Sequence, residues 1–327
     1  MWLSDRTLEH LRAVTDAPDM SGTRYRILEL IGSGGMGAVY LADDTSLQRE
    51  VAVKVLRTPE IHADIARRMI DEARILARLE HPGIVPIYDA GQLADGRVYY
   101  VMKLVRGRRL DQIVTPGMPL NERLRVFRRI CEPVAFAHAH RVVHRDLKPQ
   151  NIMVGSFGEV LVMDWGVAKH ADRNAVVPNG PDDAPSLDGA TLHGTRLGTP
   201  GWMSPEQERG DIDRIDARTD IYGLGAILRF LLGAAPTAEE TPAFRRAPKP
   251  LRAMCALAMH SDPERRYASA DLFATDIDRF LAGDPVTAYR EPVWERAARF
   301  YRKYRTAILL IVTYLVMRAL LLAFSGR

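Results

Sequence analysis

Three stretches of this 327-residue chain carry residue types at spacings that could handle a phosphate. The first is Gly32-x-Gly34-x-x-Gly37-x-Val39, opened by Ile31. The same glycine spacing opens dinucleotide-binding folds, but those need a helix directly after the glycines. Here Ala38-Val39-Tyr40-Leu41 continues as strand. A strand–turn–strand flap without side chains at its tip can lay backbone N–H groups over triphosphate oxygens. The second stretch is Val51-Ala52-Val53-Lys54, a lysine ending a β-branched run. Taken alone, a solvated strand-end lysine is an equally good reading. Eighteen residues on lies Glu72, where a carboxylate could hold Lys54 in position. The third stretch runs Val143-His144-Arg145-Asp146-Leu147-Lys148-Pro149-Gln150-Asn151 and is followed by Met163-Asp164-Trp165-Gly166.

These residues need elements to position them. Tyr25–Leu30, Ala38–Leu41 and Val51–Leu56 read as short strands, β-branched or aromatic and separated by turn formers. Ile65–Leu79 has the helical period, with Ile65, Met69, Ala73, Leu76 and Leu79 apolar, and His81-Pro82-Gly83 ends it. Tyr99–Val105 reads as a buried strand. From about Leu120 the pattern is mostly helical, returning at Asp220–Leu232, Leu251–Met259 and Ala270–Leu281. Asp172–Arg196 interrupts it with Pro178, Pro181 and Pro185 and reads as a long loop. Residues 1–24 form a lead-in with a helical turn or two around Leu8–Val14. There is no internal repeat.

The three stretches, in this order and at these spacings, resemble the eukaryotic-like serine/threonine protein kinases of bacterial type, over roughly Tyr25 to Leu281. The resemblance implies an α+β bilobal kinase fold, with a small β-rich N-lobe and hinge over 25–105 and a larger, mainly α-helical C-lobe over 106–283. It implies that Lys54 binds the ATP α/β-phosphates and pairs with Glu72, and that Asp146 accepts the substrate hydroxyl proton. Asn151 and Asp164 would hold Mg2+, and Lys148 would mark a kinase acting on serine and threonine. ATP would be cradled by Ile31, Gly32, Gly34, Gly37, Val39, Ala52 and Lys54. The Lys103 carbonyl and Val105 N–H would meet the adenine edge, with Met102 as gatekeeper. Phosphoryl transfer needs little covalent help and much charge placement, which this residue set supplies.

Gly198-Thr199-Pro-Gly-Trp-Met-Ser204-Pro205-Glu206 resembles the substrate-docking end of the activation segment, with Ser204 replacing the usual alanine. By the same resemblance Thr199 would bond Asp146 and Lys148, Glu206 would pair with Arg266, and Asp220 would anchor the catalytic loop. Arg145 would receive an activation-loop phosphate, expected on Thr191 or Thr195. The departures are Trp165 in place of phenylalanine, a short Leu232–Leu251 stretch, and Arg109 near where a ribose-binding acid often stands. A pseudokinase scaffold is the alternative; it would be favoured by loss of Lys54, Asp146, Asn151 or Asp164, and none is lost.

Composition is that of a globular protein, and two cysteines are too few for a disulfide framework. From Trp294 onward seven Lys/Arg face Glu295 alone, a net +6 within a chain total of +4, so residues 1–293 carry −2. That distribution argues against nucleic acid as a partner and for a basic tail facing anionic lipid. Residues 284–305 form a basic juxtamembrane segment, and 306–324 an apolar run broken by one charge, Arg318. Its eleven Leu, Ile, Val and Phe favour insertion by about 3–7 kcal/mol, against about 2.5–3.5 kcal/mol for one central arginine. Spanning is therefore favoured narrowly over a helix lying on the surface. Positive charge on its N-terminal side puts the kinase in the cytoplasm of a single-pass inner or plasma membrane protein. Only three residues follow the run, so no domain is expected beyond it. Protein substrates with serine or threonine acceptors are the expected partners, and a homodimer is compatible with the chain.

Overall fold

The computed structural model describes residues 18–34, 37–56, 70, 73–115, 117–165, 201–234 and 241–325. Strands β1 (Tyr25–Gly34), β2 (Gly37–Asp44), β3 (Arg49–Leu56), β4 (Ile87–Gln92) and β5 (Val98–Lys103) form one antiparallel sheet in the order β1-β2-β3-β5-β4. The first two run longer than the periodicity suggests, because pairing continues into the glycines: Gly34 opposes Gly37 at the hairpin tip. Gly37 has a φ of +157°, and a Cβ there would run into the Val55 carbonyl on β3. Only glycine allows this approach. One face of the sheet buries Tyr25, Tyr40, Val51, Val53, Val55, Tyr99 and Val101 together.

Below it, β6 (Gly107–Arg109), β7 (Ile152–Gly155) and β8 (Val160–Val162) make a small sheet in the order β6-β7-β8. The helical part comprises α1 (Leu110–Ile113), α2 (Leu120–Ala139), α3 (Pro205–Arg209), α4 (Ala217–Leu231), α5 (Pro242–Arg246), α6 (Lys249–Ala258), α7 (Ala270–Ala282) and α8 (Val293–Ser325). Leu124, Phe127, Ile130, Cys131, Val134 and Ala137 recur at three- and four-residue intervals along α2 and are fully buried. They meet Leu224, Ile227 and Leu228 of α4 and Phe273 of α7 in one core, where the Phe127 and Phe273 rings lie edge to face at 5.1 Å. A β-rich lobe over a helical lobe is the kinase arrangement the sequence implies.

The boundaries differ in places. Helix α4 begins at Ala217 because the Asp216 carboxylate accepts the Arg218 N–H and caps it. The short Leu232–Leu251 stretch holds α5, capped by Thr241. Of the helix expected over Ile65–Leu79, residues 73–77 are helical, while most of the rest, Glu72 included, lies outside the described residues. The Leu8–Val14 turns and the Asp172–Arg196 loop, with Thr191 and Thr195, also lie outside them. Among the described residues no helix is long and apolar enough to cross a membrane. The transmembrane helix expected over 306–324 therefore finds no support there, the side chains of 319–327 being outside the described residues.

Candidate active site

The loop from β7 back to α2 is organised around Asp220 of α4, which is buried. Its Oδ2 accepts the His144 backbone N–H at 2.7 Å and faces His138 Nε2 at 2.7 Å, while Oδ1 accepts the Arg145 N–H at 2.8 Å. Burial alone would push this carboxyl up, but the His138 hydrogen bond and the His144 amide hold it below the usual carboxylate range. Arg145 has a φ of +67°, unfavourable for a side chain of its size. It is held there from both ends, since its carbonyl accepts Gln207 Nε2 at 2.6 Å while its N–H is bound to Asp220. The expected anchoring role of Asp220 is visible in this geometry.

That clamp presents Asp146. Its Oδ2 accepts Lys148 Nζ at 2.8 Å and Asn151 Nδ2 at 3.2 Å, and its carbonyl accepts the same Asn151 amide at 2.8 Å. Because the Asn151 NH2 group is committed to Asp146, its Oδ1 is the end left for a cation. Asn151 directly precedes β7 and Asp164 lies two residues beyond β8, with Ile152 opposite Val162 and the Met163 N–H bonded to the Asn151 carbonyl at 2.8 Å. Strand pairing thus brings the two expected metal ligands side by side. Both offer hard oxygen donors, which suit Mg2+. Among the described residues no group of three or more His, Cys, Asp or Glu could hold a metal by itself.

Asp164 sits at φ +51° and accepts Lys54 Nζ on Oδ1 at 2.6 Å, across 110 residues of sequence. Burial works against the Lys54 charge, while the hydrogen-bonded Asp164 carboxylate favours it, and the balance holds its pKa above the ordinary lysine value. The described partner of Lys54 is therefore Asp164; the expected partner Glu72 lies outside the described residues.

His144 ties the catalytic loop to the segment after β8 that carries Asp164. Burial pushes its pKa down and keeps it neutral. Nε2 lies 2.9 Å from the Met163 carbonyl, and Nδ1 lies 3.2 Å from the Asp146 N–H. One neutral tautomer, with the proton on Nε2, satisfies both contacts. Trp165 packs against this ring at 4.8 Å and donates its indole N–H to the Val162 carbonyl at 3.0 Å. The tryptophan in place of phenylalanine is thereby accommodated without an orphan donor.

Between the lobes Ala52, Met102 and Leu161 are buried together, with Val39, Val105, Met153 and Met163 half-buried around them. Of the residues expected around the adenine, Val39, Ala52, Met102 and Val105 belong to this patch, whereas Lys103 does not and Ile31 is 47% exposed on the hairpin with Gly32 beside it. Met153 and Met163 were not anticipated; each stands within two residues of a polar motif residue on β7 or just past β8, and that proximity was the available signal. Lys103 spends its N–H on the Pro86 carbonyl at 3.0 Å.

The docking segment is fastened underneath. Arg266 donates to Glu206 Oε1 at 2.7 Å and Oε2 at 2.8 Å, both side chains fully buried. Ser204, in the position expected to hold alanine, caps α3 with Gln207 in a reciprocal box, and Ser-x-x-Gln was the legible signature. Thr199 and Gly198 lie outside the described residues. Arg109 is paired with Asp111 at 3.1 Å.

The chain matches the protein kinase domain family over residues 25–285. It is similar to the serine/threonine-protein kinase PknD of Protochlamydia amoebophila (strain UWE25), 34% identical over 297 residues, covering 79% of this chain and 30% of that protein. It is 36% identical over 305 residues to the serine/threonine-protein kinase PknB of Mycobacterium leprae (strain TN), covering 84% of this chain and 46% of that one. The serine/threonine-protein kinase PrkC of Bacillus subtilis (strain 168) is 34% identical, with 83% and 43% covered. The chain thus spans between 30% and 46% of the length of these relatives. Among solved structures, the Mycobacterium tuberculosis PknI kinase domain superposes with a TM-score of 0.60 over 78% of this chain and 96% of that one, at 24% identity, a likeness of fold.

Proposed function

We propose that this chain, which belongs to the protein kinase domain family, transfers the γ-phosphate of ATP to serine and threonine hydroxyls of proteins. The observation that carries the reading is one connected set of contacts: Lys54 on Asp164, Met163 on Asn151, and Asn151 and Lys148 on Asp146. A pseudokinase scaffold has no need of such a set.

In this reading Asp146 accepts the proton of the attacking hydroxyl, and the Lys148 ammonium beside it steadies the negative charge at the point of attack. Lys54 neutralises phosphate oxygens from the N-lobe side. Asn151 and Asp164 would hold Mg2+, which would supply positive charge against the phosphate oxygens. The apolar patch around Ala52 and Met102 takes the adenine ring and keeps water from the cleft. Thr191 and Thr195 are the proposed regulatory phosphate sites, with Arg145 the receiving cation.

The experiment is incubation of the purified protein with radiolabelled ATP and Mg2+, with and without a basic protein substrate, followed by phosphosite mapping. Asp146→Asn should lower turnover about 10²–10⁴-fold, the range for a positioned general base, while ATP still binds. Absence of any transfer by the wild type would favour the scaffold.

The same chain is proposed to be attached to an inner or plasma membrane by α8, with the kinase on the cytoplasmic side. Leu309, Leu310, Ile311 and Val312 are each half or more exposed. Four consecutive positions sweep most of the way round a helix, so the apolar surface is not a single core-facing stripe. Arg296, Arg299, Arg302, Lys303 and Arg305 precede it.

A further inference from the structure

Lys54 has a neighbour that its expected role does not mention. The antiparallel register of β3 and β5 sets Lys54 directly opposite Tyr100. Directly opposed residues share a face of the sheet, with Cβ atoms about 4.5–5.5 Å apart. Tyr100 is 4% exposed and belongs to the apolar cluster between the lobes, with Ala52, Ala73 and Met102. Lys54 Nζ lies 5.7 Å from the centre of its ring. The lysine stem, itself largely covered, thus runs beside a rigid aromatic wall to reach Asp164.

We propose that Tyr100 is a positioning residue for Lys54, holding the ammonium at the phosphate site from the opposing strand. The proposal rests on the kinase reading. A lysine side chain has four rotatable bonds, and its free rotamers would scatter the charge over several ångströms. The ring removes the rotamers that fold back over β5, and its negative face and phenolic dipole attract the cation. Burial pushes the Tyr100 phenol up, so it meets Lys54 as a neutral hydroxyl rather than as a second anion. The arrangement matters most with nucleotide bound. Asp164 would then also face the Mg2+ site and could give up part of its hold on Lys54. Tyr100, on a strand paired on both sides with β3 and β4, stays where it is.

The test is a double-mutant cycle on Mg-ATP affinity, measured by calorimetry on the full chain. Tyr100→Phe keeps the ring and removes the hydroxyl, and should weaken Mg-ATP about threefold. Tyr100→Leu removes both and should weaken it about tenfold, the range for a cation lost from an aromatic partner. On a Lys54→Met background neither substitution should change affinity further, because there is no ammonium left to position. Thermal melting of each variant separates this from loss of fold: Tyr100→Phe should melt with the wild type. Equal weakening in both backgrounds would overturn the proposal, since Tyr100 would then act on the cleft directly. So would wild-type affinity in both Tyr100 variants. If the wild type binds no Mg-ATP at all, the kinase reading itself fails, and the proposal with it.

Discussion

Replacing Arg266 by methionine should change both the size and the pH dependence of stability. Arg266 donates four hydrogen bonds, two to Glu206 at 2.7 and 2.8 Å, one to the Arg218 carbonyl at 2.9 Å and one to the His260 carbonyl at 2.8 Å. Methionine fills similar volume but leaves Glu206 buried with only neutral donors, among them the Thr219 hydroxyl at 3.0 Å. Breaking a buried ion pair on one side costs about 3–5 kcal/mol, about 6–20 °C in melting temperature for a domain of this size. The pH dependence follows from Glu206. In the wild type, burial raises its pKa but Arg266, with a backbone N–H and the Ser204 side chain, more than offsets this, so the folded value lies below 4.5. Its contribution is then present above pH 4.5 and lost as pH falls. Without Arg266, burial, the largest influence on this group, is opposed only by neutral hydrogen-bond donors, and the folded pKa is expected above the unfolded one. The variant should therefore lose stability as pH rises from about 4.5, by up to about 1.4 kcal/mol per pH unit until the folded pKa is passed. Urea unfolding from pH 4.5 to 8 reads both effects. The double variant Arg266→Met/Glu206→Gln should recover part of the loss, since no charge is left buried. A melting shift under about 2 °C, or a deficit independent of pH, would refute the reasoning.

Three further outcomes are expected. Below about pH 6.5 the wild type should lose stability on acidification, because His144 is buried neutral with its pKa pushed below 6.5, and His81 acts in the same sense. His144→Gln should flatten that slope by up to about 1.4 kcal/mol per pH unit, measured by urea titration; an unchanged slope would show that His144 does not titrate in the fold. A Thr191→Ala/Thr195→Ala variant should be less active than the wild type after autophosphorylation, and full activity would place the regulatory phosphate elsewhere. Full-length protein should resist extraction by high salt and by carbonate, whereas release by salt alone would leave the basic segment before α8 as the sole attachment.

Much of this site was legible before any coordinates, because its chemistry is carried by residue type and near-neighbour spacing. Glycines with strand on both sides, an Asp146 with Lys148 and Asn151 close behind it, and Asp164 before an aromatic are patterns a short window contains. The lobes were legible for the same reason, as periods of two and of about 3.6 are local. What remained hidden were contacts between residues far apart in the chain. That Lys54 lies against Asp164 and Tyr100 depends on strand register and on how the two lobes face each other. A one-residue slip in β3 would turn Lys54 to the other side of the sheet. The left-handed backbone at Arg145 is likewise invisible in the sequence, where arginine at φ +67° is disfavoured. It is imposed from outside, by Asp220 from α4 and Gln207 from α3. The neutral state of His144 follows from complete burial, and burial belongs to the packed core as a whole. Residue identity determined which groups could do phosphate chemistry; packing across the sheets and helices decided which of them touch, and in what protonation state.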